Sequence, residues 1–376
     1  MAVERATVMI AASETDSNLY YATRFIAPDS FIFLEIKGER VLVMSDLELD
    51  RARAQATVER VLSYSEVERR VRAKGVTEPG SVDIVHEVLQ EHGIKRLLVP
   101  GNFPYVQAAR FQELGYQLET KKEPFFERRV VKTADEIRHI EAAQRATEEA
   151  VAAAHAALRT ADARDGMLLL DGEPLTSERI KKLINVKLME RDCVAQHTIV
   201  AGGEQACDPH NEGSGPLPSN RSIIFDVFPR SGVTRYFADM SRTVVKEKPS
   251  SELKRLYQTV LDAQEEAIGQ VRDGADGDRI HQRICERFEQ AGYKTGLVNG
   301  RMQGYFHGTG HGVGLDIHEP PRISRTGSPL QEGHIVTVEP GLYYPGLGAV
   351  RIEDMVLVTS DGCRNLTNFP KTFELH

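Results

Sequence analysis

Four acidic residues interrupt apolar, strand-like segments in the second half of the chain. Asp226 follows Ser-Ile-Ile-Phe in one such segment, and Asp239 lies in the next one, beyond a turn. Because an unpaired buried carboxylate is costly, each of these acids needs a cation, a proton or hydrogen-bond donors. For this first pair alone, a salt bridge to Arg235 or Arg242 explains the pattern as well as a metal ion does.

The C-terminal part of the chain favours the metal explanation. Glu339 lies in the apolar segment 335–340, and Glu353 lies in the segment 348–358. Arg351 precedes Glu353 by two residues, so both are expected on one face of that strand. Four isolated acids, each on an apolar strand, are difficult to explain as four unrelated surface residues. Together they predict an oxygen-rich metal site.

A segment rich in histidine and glycine, 305–321, supplies nitrogen ligands. It holds three of the twelve histidines, and four glycines occupy every second position. In an extended segment this spacing removes side chains from one face, so that backbone or ligand can approach closely. The spacing does not match a phosphate-binding loop. His311 is the best-placed metal ligand, while His307 and His318 would be donors or proton carriers.

A fourth histidine, His210, lies in a Gly- and Pro-rich loop before Asp226 and is a weaker candidate. Several acids with one imidazole form a ligand set that suits manganese, iron or cobalt. It does not resemble a zinc site built from thiolates. If two of the acids bridge, a two-metal centre can form. Such a centre can lower the pKa of a bridging water, polarise a carbonyl and stabilise a tetrahedral intermediate.

The pattern of apolar residues divides the chain into two domains. Residues 1–128 alternate strands with helices and predict an α/β domain. Its strands are expected at 31–36, 41–44 and 97–100, and a helix at 82–92. Residues 129–376 predict an α+β domain that opens with a capping box, Thr133 with Glu136, and a long amphipathic helix. Its other helices are expected at 177–190, 251–272 and 278–290, and its strands at 222–228, 235–245, 335–340 and 348–358.

Composition argues against several classes of protein. The 376 residues carry a formal net charge of -8, whereas nucleic-acid binders usually have a basic surplus. No apolar run approaches the ~20 residues of a membrane-spanning helix, and the first residues do not resemble a signal peptide. The four cysteines form no C-x-x-C pair, so neither a zinc ribbon nor a disulfide scaffold is indicated. A cytoplasmic location is therefore expected.

Five candidate ligands occur in an order that resembles the dimetal site of the pita-bread metallopeptidases, which include aminopeptidase P, prolidase and methionine aminopeptidase. They are Asp226, Asp239, His311, Glu339 and Glu353. A weaker resemblance to the creatinase/prolidase N-terminal domain lies in residues 20–25 and 41–46. The resemblance implies a pita-bread catalytic domain with a curved antiparallel sheet, behind an N-terminal domain of the creatinase/prolidase type. It favours aminopeptidase P or prolidase.

The resemblance also implies a role for each ligand. Asp226 would bind one metal ion, and His311 with Glu339 would bind the other. Asp239 and Glu353 would bridge the two ions. Glu339 would in addition help to deprotonate a bridging water or hydroxide that acts as the nucleophile. Two divalent ions are therefore implied, with manganese favoured and cobalt, iron or zinc as alternatives.

Further residues resemble the family's substrate-binding groups. His210, His307 and His318 resemble its substrate-binding and proton-shuttling histidines, and Arg351 resembles the basic residue that supports the last Glu and the substrate end. The implied substrates are short proline-containing peptides, cleaved before a proline in second position. Dipeptidase and aminopeptidase action both stay open. A homodimer without nucleic-acid or membrane partners is expected.

Two departures from the family pattern bear on specificity. The family usually has Asp-x-Gly at the first ligand, whereas this chain has Asp226-Val-Phe228, and Phe228 is expected to narrow the pocket. The spacing of 13 from Asp226 to Asp239 is two longer than usual, and the turn 229–234 should absorb the extra residues. The alternatives are a pita-bread scaffold used only for binding and a metal-free amidinohydrolase of the creatinase type. Retention of all five ligands disfavours both.

Overall fold

The structure, a computed structural model, describes residues 5–376 and divides the chain into two compact units, Met1–Glu127 and Arg128–His376. Among the helices of the described residues, none combines the length and the apolar character that crossing a membrane requires. All four cysteines are free thiols.

The first unit is built on a six-stranded mixed sheet with the order β4-β3-β2-β1-β5-β6. Its strands are β1 Arg5–Ala11, β2 Phe31–Ile36, β3 Glu39–Met44, β4 Arg60–Ser63, β5 Arg96–Pro100 and β6 Gln117–Lys121. Its helices are α1 Ser17–Thr23, α2 Leu49–Gln55, α3 Tyr64–Ala73, α4 Ser81–Gln90 and α5 Tyr105–Glu113. The strands predicted at 31–36, 41–44 and 97–100 are confirmed, and so is the helix predicted at 82–92, which begins and ends slightly earlier.

Alternation along the strands of the first unit produces two apolar cores, because successive side chains of a strand point to opposite faces. Val8 and Leu34 pack into one core, and Met9 and Phe33 pack into the other. Both faces of the sheet are therefore covered, as expected for an α/β layer structure.

The second unit opens with α6, Ala134–Thr160, at the predicted capping box. Thr133 Oγ1 accepts a hydrogen bond from the Glu136 amide, and Glu136 Oε2 accepts one from the Thr133 amide at 2.9 Å. The other carboxylate oxygen of Glu136 accepts a hydrogen bond from the Tyr236 hydroxyl at 2.6 Å. The cap therefore also ties the start of α6 to the segment before Asp239.

Three further helices complete the second unit. They are α7 Ser177–Met189, α8 Ser251–Gln270 and α9 Gly277–Gln290. All three confirm helices predicted from the sequence. Helices α8 and α9 bury apolar faces in one core, where Val260 and Ile284 join strand residues such as Val336 and Val356.

Two sheets of the second unit carry the cavity described below. The first has the order β11-β12-β14-β24 and the second β18-β17-β19-β22-β23. Their strands are β11 Ile199–Gly202, β12 Ile223–Val227, β14 Met240–Lys246 and β24 Glu374–Leu375, with β17 Gly310–Gly312, β18 Glu319–Ile323, β19 Ile335–Val338, β22 Asp354–Val358 and β23 Cys363–Asn365. Pairing within them is antiparallel except between β14 and β24.

The other strands of the second unit form shorter, separate ladders. They are formed by β7 Asp162–Arg164, β8 Met167–Leu170 and β9 Glu173–Pro174, by β10 Cys193–Val194 and β13 Arg230–Ser231, by β15 Gly296–Val298 and β16 Arg301–Gln303, and by β20 Gly341–Tyr344 and β21 Gly348–Arg351.

Two strand predictions were wrong in a way that matters for the acids. The strand expected at 235–245 begins only at Met240, so Asp239 precedes it. The strand expected at 348–358 is two strands, β21 and β22, in different sheets. Glu353 lies between them and donates its amide to Ser241 O, so Arg351 and Glu353 do not share a strand face. The reason is a crossover from one sheet to the next, which local sequence does not encode.

Candidate metal centre

One cavity of the second unit is lined by every residue that the sequence analysis proposed for the site, and it encloses about 870 Å³. The nine residues are His210, Asp226, Asp239, His307, His311, His318, Glu339, Arg351 and Glu353. They come from segments far apart in the chain, so their convergence is a property of the tertiary fold.

The acids of the cavity lie where strands end or begin. Asp226 is in β12, whose antiparallel pairing with β14 sets Val227 opposite Met240 and so brings Asp239 to the same end of the hairpin. Glu339 directly follows β19, and Glu353 follows β21. At a strand end the backbone is no longer constrained by the ladder, so side chains from different sheets can turn towards one point.

The alternating glycines bring β17 close to its neighbours. A Cβ atom on Gly310 would collide with the Thr337 carbonyl of β19, and one on Gly312 would collide with the Pro320 carbonyl of β18. The prediction that these glycines permit a close approach of backbone is confirmed. His311, between them, is thereby held deep in the cavity wall.

The metal-ligating atoms of Asp239, His311 and Glu353 lie within 4.8 Å of one another. His311 Nε2 is 3.6 Å from Asp239 Oδ2 and 3.3 Å from Glu339 Oε1. The side chains of Asp239 and Glu353 are almost fully buried. Three carboxylates and one imidazole therefore face each other at positions of low solvent exposure.

Burial and mutual repulsion dominate the electrostatics of this cluster. Burial, and then the charges of neighbouring acids, raise the pKa of Asp239 and of Glu353 well above the ordinary range. Burial raises the pKa of Glu339 to about 7. Burial also lowers the pKa of His311 to about 3, so its imidazole is neutral and can act as a ligand.

Asp226 differs from the other acids because it has a cationic partner. Arg351 Nη2 donates to Asp226 Oδ2 at 2.7 Å. The salt bridge considered in the sequence analysis therefore exists, but its partner is neither Arg235 nor Arg242. The second oxygen, Oδ1, is buried and accepts no hydrogen bond from any residue that the structure describes.

Arg242 instead binds Asp354 and the backbone of Glu353, next to the acid cluster. It is 1% exposed, and its Nη2 donates to Asp354 Oδ1 at 2.8 Å. Its Nη1 donates to the Glu353 carbonyl at 2.6 Å. This fork fixes the backbone at Glu353, in the crossover between β21 and β22.

The side chains of this cluster suit divalent metal ions as ligands. Burial and the repulsion of neighbouring acids both disfavour ionised carboxylates at Asp239 and Glu353, and Asp226 Oδ1 is a buried acceptor without a hydrogen-bond donor among the described residues. Hard carboxylate oxygens with one neutral imidazole are ligands that manganese, iron and cobalt accept. Asp239, His311, Glu339 and Glu353 already converge, and Asp226 lies on the same cavity wall.

A hydrogen-bonded chain places His307 beside the acids. His307 Nδ1 lies 2.8 Å from the Gly308 carbonyl, which can only accept, so Nδ1 carries the proton. Burial lowers the pKa of His307 to about 3, so the ring is neutral and Nε2 accepts from the Tyr343 hydroxyl at 2.9 Å. Arg351 Nη1 donates to that hydroxyl at 2.9 Å. Tyr343 was missed in the sequence analysis, because nothing in β20, Gly341–Tyr344, sets it apart from the neighbouring Tyr344.

His318 and His210 lie at more exposed positions of the same cavity. The His318 ring packs edge-on against His311, with ring centroids 4.4 Å apart. Partial burial lowers the pKa of His318. His210 donates its amide to Asp208 Oδ1 and leaves its side chain exposed.

A buried ion network anchors the turn that presents His318. Glu319 accepts from Lys132 Nζ at 2.5 Å and from Arg129 Nη2 at 3.0 Å. Arg129 also pairs with Asp316 at 2.7 Å. Sequence reasoning missed this network, because Arg129 and Lys132 precede Glu319 by 190 and 187 residues.

The remaining cavity wall combines apolar, polar and charged side chains, among them the acids Asp208 and Glu212. Its apolar members include Ile199, Phe228, Phe306 and Ile317. Arg322 lies directly opposite His311 in the antiparallel register of β17 and β18, so both side chains point to the same face of the sheet. Arg322 is exposed and forms no ion pair with any carboxylate among the described residues.

Comparison with known proteins gives consistent matches. The model of metallopeptidase family M24 matches residues 138–360. The Xaa-Pro dipeptidase of Pyrococcus furiosus is 31% identical over 289 residues, which are 76% of this chain and 76% of that protein.

Solved structures also resemble the chain. The X-Pro aminopeptidase of Thermotoga maritima has a TM-score of 0.81 at 24% identity and covers 99% of this chain and 97% of its own. The Xaa-Pro dipeptidase of Bacillus anthracis has a TM-score of 0.82 at 22% identity and covers 98% and 94%. These likenesses confirm a two-domain α/β fold.

Proposed function

The chain belongs to metallopeptidase family M24 and is a metallopeptidase, and we propose that it cleaves the peptide bond before proline in short Xaa-Pro peptides. The observation that carries this proposal is the convergence of Asp239, His311, Glu339 and Glu353 in one buried cavity. The similarity to an Xaa-Pro dipeptidase over most of the chain supports the substrate class.

We propose the ligand set that the family resemblance implies. Asp226 would bind one divalent ion, His311 and Glu339 the other, and Asp239 with Glu353 would contact both. Two such ions, with manganese favoured, would lower the pKa of a bound water, so that hydroxide is available as the nucleophile near neutral pH. They would also polarise the scissile carbonyl. The proximity of three of the acids to His311 supports this assignment.

The chain's own residues then handle protons and orientation. Glu339, whose carboxylate lies 3.3 Å from His311 Nε2 at the acid cluster, would accept a proton from the attacking water. Arg351 balances Asp226 and holds the Tyr343 hydroxyl, which in turn donates to His307. His318 is accessible and can contact the substrate or carry a proton.

Arg322 is our candidate for the substrate's C-terminal carboxylate. It points to the same face as His311, it is exposed, and no carboxylate of the described residues neutralises it. A dipeptide bound with its scissile bond at the acid cluster would place its carboxylate on this side. The apolar side chains of Phe228 and Phe306 would face the proline or the first residue.

The test is hydrolysis of Ala-Pro and Ala-Ala by purified protein supplied with Mn²⁺. Release of alanine from Ala-Pro in clear preference to Ala-Ala is expected. Asp239→Asn should abolish the activity while leaving the fold intact. Asp50→Asn, whose side chain is fully exposed, is the matched control and should retain activity.

Several results would contradict the proposal. Full activity of Asp239→Asn would exclude the metal cluster as the catalytic centre. Turnover of creatine would support the amidinohydrolase alternative instead. Manganese as the metal, the homodimer and the cytoplasmic location remain predictions of the sequence analysis.

A further inference from the structure

A buried polar cluster joins α9 to the segment that leads into β17. It contains His281 of α9 together with Tyr305 and Thr309, and all three are almost completely buried. Thr309 Oγ1 lies 3.0 Å from His281 Nδ1 and 2.6 Å from the Tyr305 hydroxyl. On the other side of the ring, His281 Nε2 lies 3.6 Å from Cys285 Sγ. None of these four residues has a role in the proposed reaction.

Among the described residues, only one arrangement of protons gives both hydroxyls of this cluster an acceptor. Tyr305 has Thr309 as its one hydroxyl partner, and an unpaired buried donor is costly, so Tyr305 donates to Thr309 Oγ1. Thr309 then donates its own proton to His281 Nδ1, and the ring carries its proton on Nε2, facing the Cys285 sulfur. Burial lowers the pKa of His281, in agreement with a neutral ring that accepts at Nδ1.

The backbone of Thr309 contacts one proposed metal ligand and lies close in sequence to another. Its carbonyl accepts a hydrogen bond from the Glu339 amide at 2.8 Å, and its amide donates to the Ile323 carbonyl at 2.7 Å. His311 follows two residues later, and its amide donates to Thr337 Oγ1 at 3.1 Å. The position of Thr309 therefore affects both Glu339 and the strand β17 that carries His311.

The Thr309 side chain is the only one that can fix this segment from within residues 308–310. Gly310 is required by the close approach of β19, Gly308 has no side chain either, and glycine restrains the backbone least. Many buried threonines satisfy their hydroxyl within their own helix, as Thr147 does at the Ala143 carbonyl of α6. The hydroxyl of Thr309 instead joins three separate segments of the chain.

We propose that Thr309 and His281 are positioning residues of the metal centre. The hydrogen bond between them, supported by Tyr305, holds Glu339 and His311 at the separation that the metal ions require. This inference rests on the proposed function and deepens it, because it assigns part of the metal affinity to residues that do not line the catalytic cavity. Without this bond the segment can shift, and the two ligands shift with it.

The experiment measures the Kd for Mn²⁺ by isothermal titration calorimetry of the EDTA-treated protein. Thr309→Val keeps the side-chain volume and removes the hydroxyl, and it should raise the Kd about ten-fold, as loss of an outer partner of a metal ligand does. Thr309→Ser retains a hydroxyl and should stay close to the wild type. With saturating Mn²⁺, Thr309→Val should lower kcat for Ala-Pro and leave KM nearly unchanged, because Thr309 does not line the catalytic cavity.

Two variants of His281 test the direction of the hydrogen bond. His281→Asn can place its amide oxygen near the position of Nδ1 and can still accept from Thr309, so its Kd should stay close to that of the wild type. His281→Leu cannot accept, and its Kd should rise as in Thr309→Val. Equal Kd values in the two His281 variants would overturn the inference, even if Thr309→Val failed to fold.

A matched control separates positioning from general stability. Thr147→Val makes the same substitution at another fully buried threonine and should keep the wild-type Kd. An unchanged Kd and kcat in Thr309→Val, with only its stability reduced, would show a structural role and overturn the inference but not the proposed function. A wild-type protein that neither binds Mn²⁺ nor cleaves Ala-Pro would overturn both.

Discussion

Replacing Asp239 by asparagine should stabilise the metal-free protein while it destroys metal binding. In the absence of metal, Asp239 and Glu353 place carboxylate oxygens within 4.8 Å of each other in a buried space. Two unit charges at that distance repel by about 3.5 kcal/mol at an effective dielectric constant of ~20. The cluster relieves part of this repulsion by binding a proton. The free energy of unfolding of the metal-free protein is therefore expected to rise by about 2 kcal/mol in Asp239→Asn at pH 8.

The sign of the pH dependence follows from the raised pKa values. An acid whose pKa is higher in the folded than in the unfolded chain binds protons more tightly when folded. Its stabilising contribution is present at low pH and is lost as the pH rises through the folded pKa, which for Glu339 is about 7. The free energy of unfolding of the metal-free wild type should therefore fall between pH 5 and pH 8, and that of Asp239→Asn should fall less.

Urea denaturation of EDTA-treated protein at both pH values measures this difference. Addition of Mn²⁺ at about 100 times Kd should then stabilise the wild type by about 2.7 kcal/mol per site, and the variant by far less. Asp50→Asn, with its exposed carboxylate, should follow the wild type throughout. If metal-free Asp239→Asn were less stable than metal-free wild type at pH 8, the idea of repelling carboxylates would be refuted.

Three further predictions concern residues around the site and in the core. Gly310→Ala should lose metal binding and much of its stability, because its Cβ would meet the Thr337 carbonyl; Gly269→Ala, in an open position of α8, should instead gain up to ~1 kcal/mol in urea denaturation. Glu319→Gln should lower the free energy of unfolding by about 3–5 kcal/mol, because the buried cations Arg129 and Lys132 lose their carboxylate partner. Thermal denaturation measures this loss. Burial lowers the pKa of His155 to about 3, so below pH ~6.5 the unfolded chain binds a proton there that the folded chain does not. The free energy of unfolding should therefore be about 2 kcal/mol lower at pH 5 than at neutral pH. His155→Phe should reduce this loss of stability in acid, and an unchanged loss would contradict the assignment.

Local chemistry explains why much of the site could be predicted from the sequence. Asp226 stands out because a charge within an apolar strand demands a partner wherever the strand packs. His311 stands out because glycines on both sides of it permit the close approach of neighbouring strands, as Gly310 and Gly312 show. The capping box at Thr133 is a contact between residues three apart, so its residue types suffice to place the start of α6.

Strand ends and crossovers were beyond sequence reasoning. Asp239 and Glu353 were placed within strands, but both lie just outside them. Apolar periodicity continues from β21 into β22, because both strands are buried, and so it conceals the point where the chain changes sheets. That change of sheet is what directs the Glu353 side chain towards His311.

The sequence by itself determined which residue types this protein brings to its site: acids that need a cation, a neutral imidazole between glycines, and the helices and strands that carry them. Only the tertiary structure decided the pairings. Arg351 rather than Arg235 or Arg242 meets Asp226, 125 residues away, and Tyr343 meets His307 across 36 residues. Such contacts depend on sheet order and register, which arise from packing the whole chain, so no local pattern of residues encodes them.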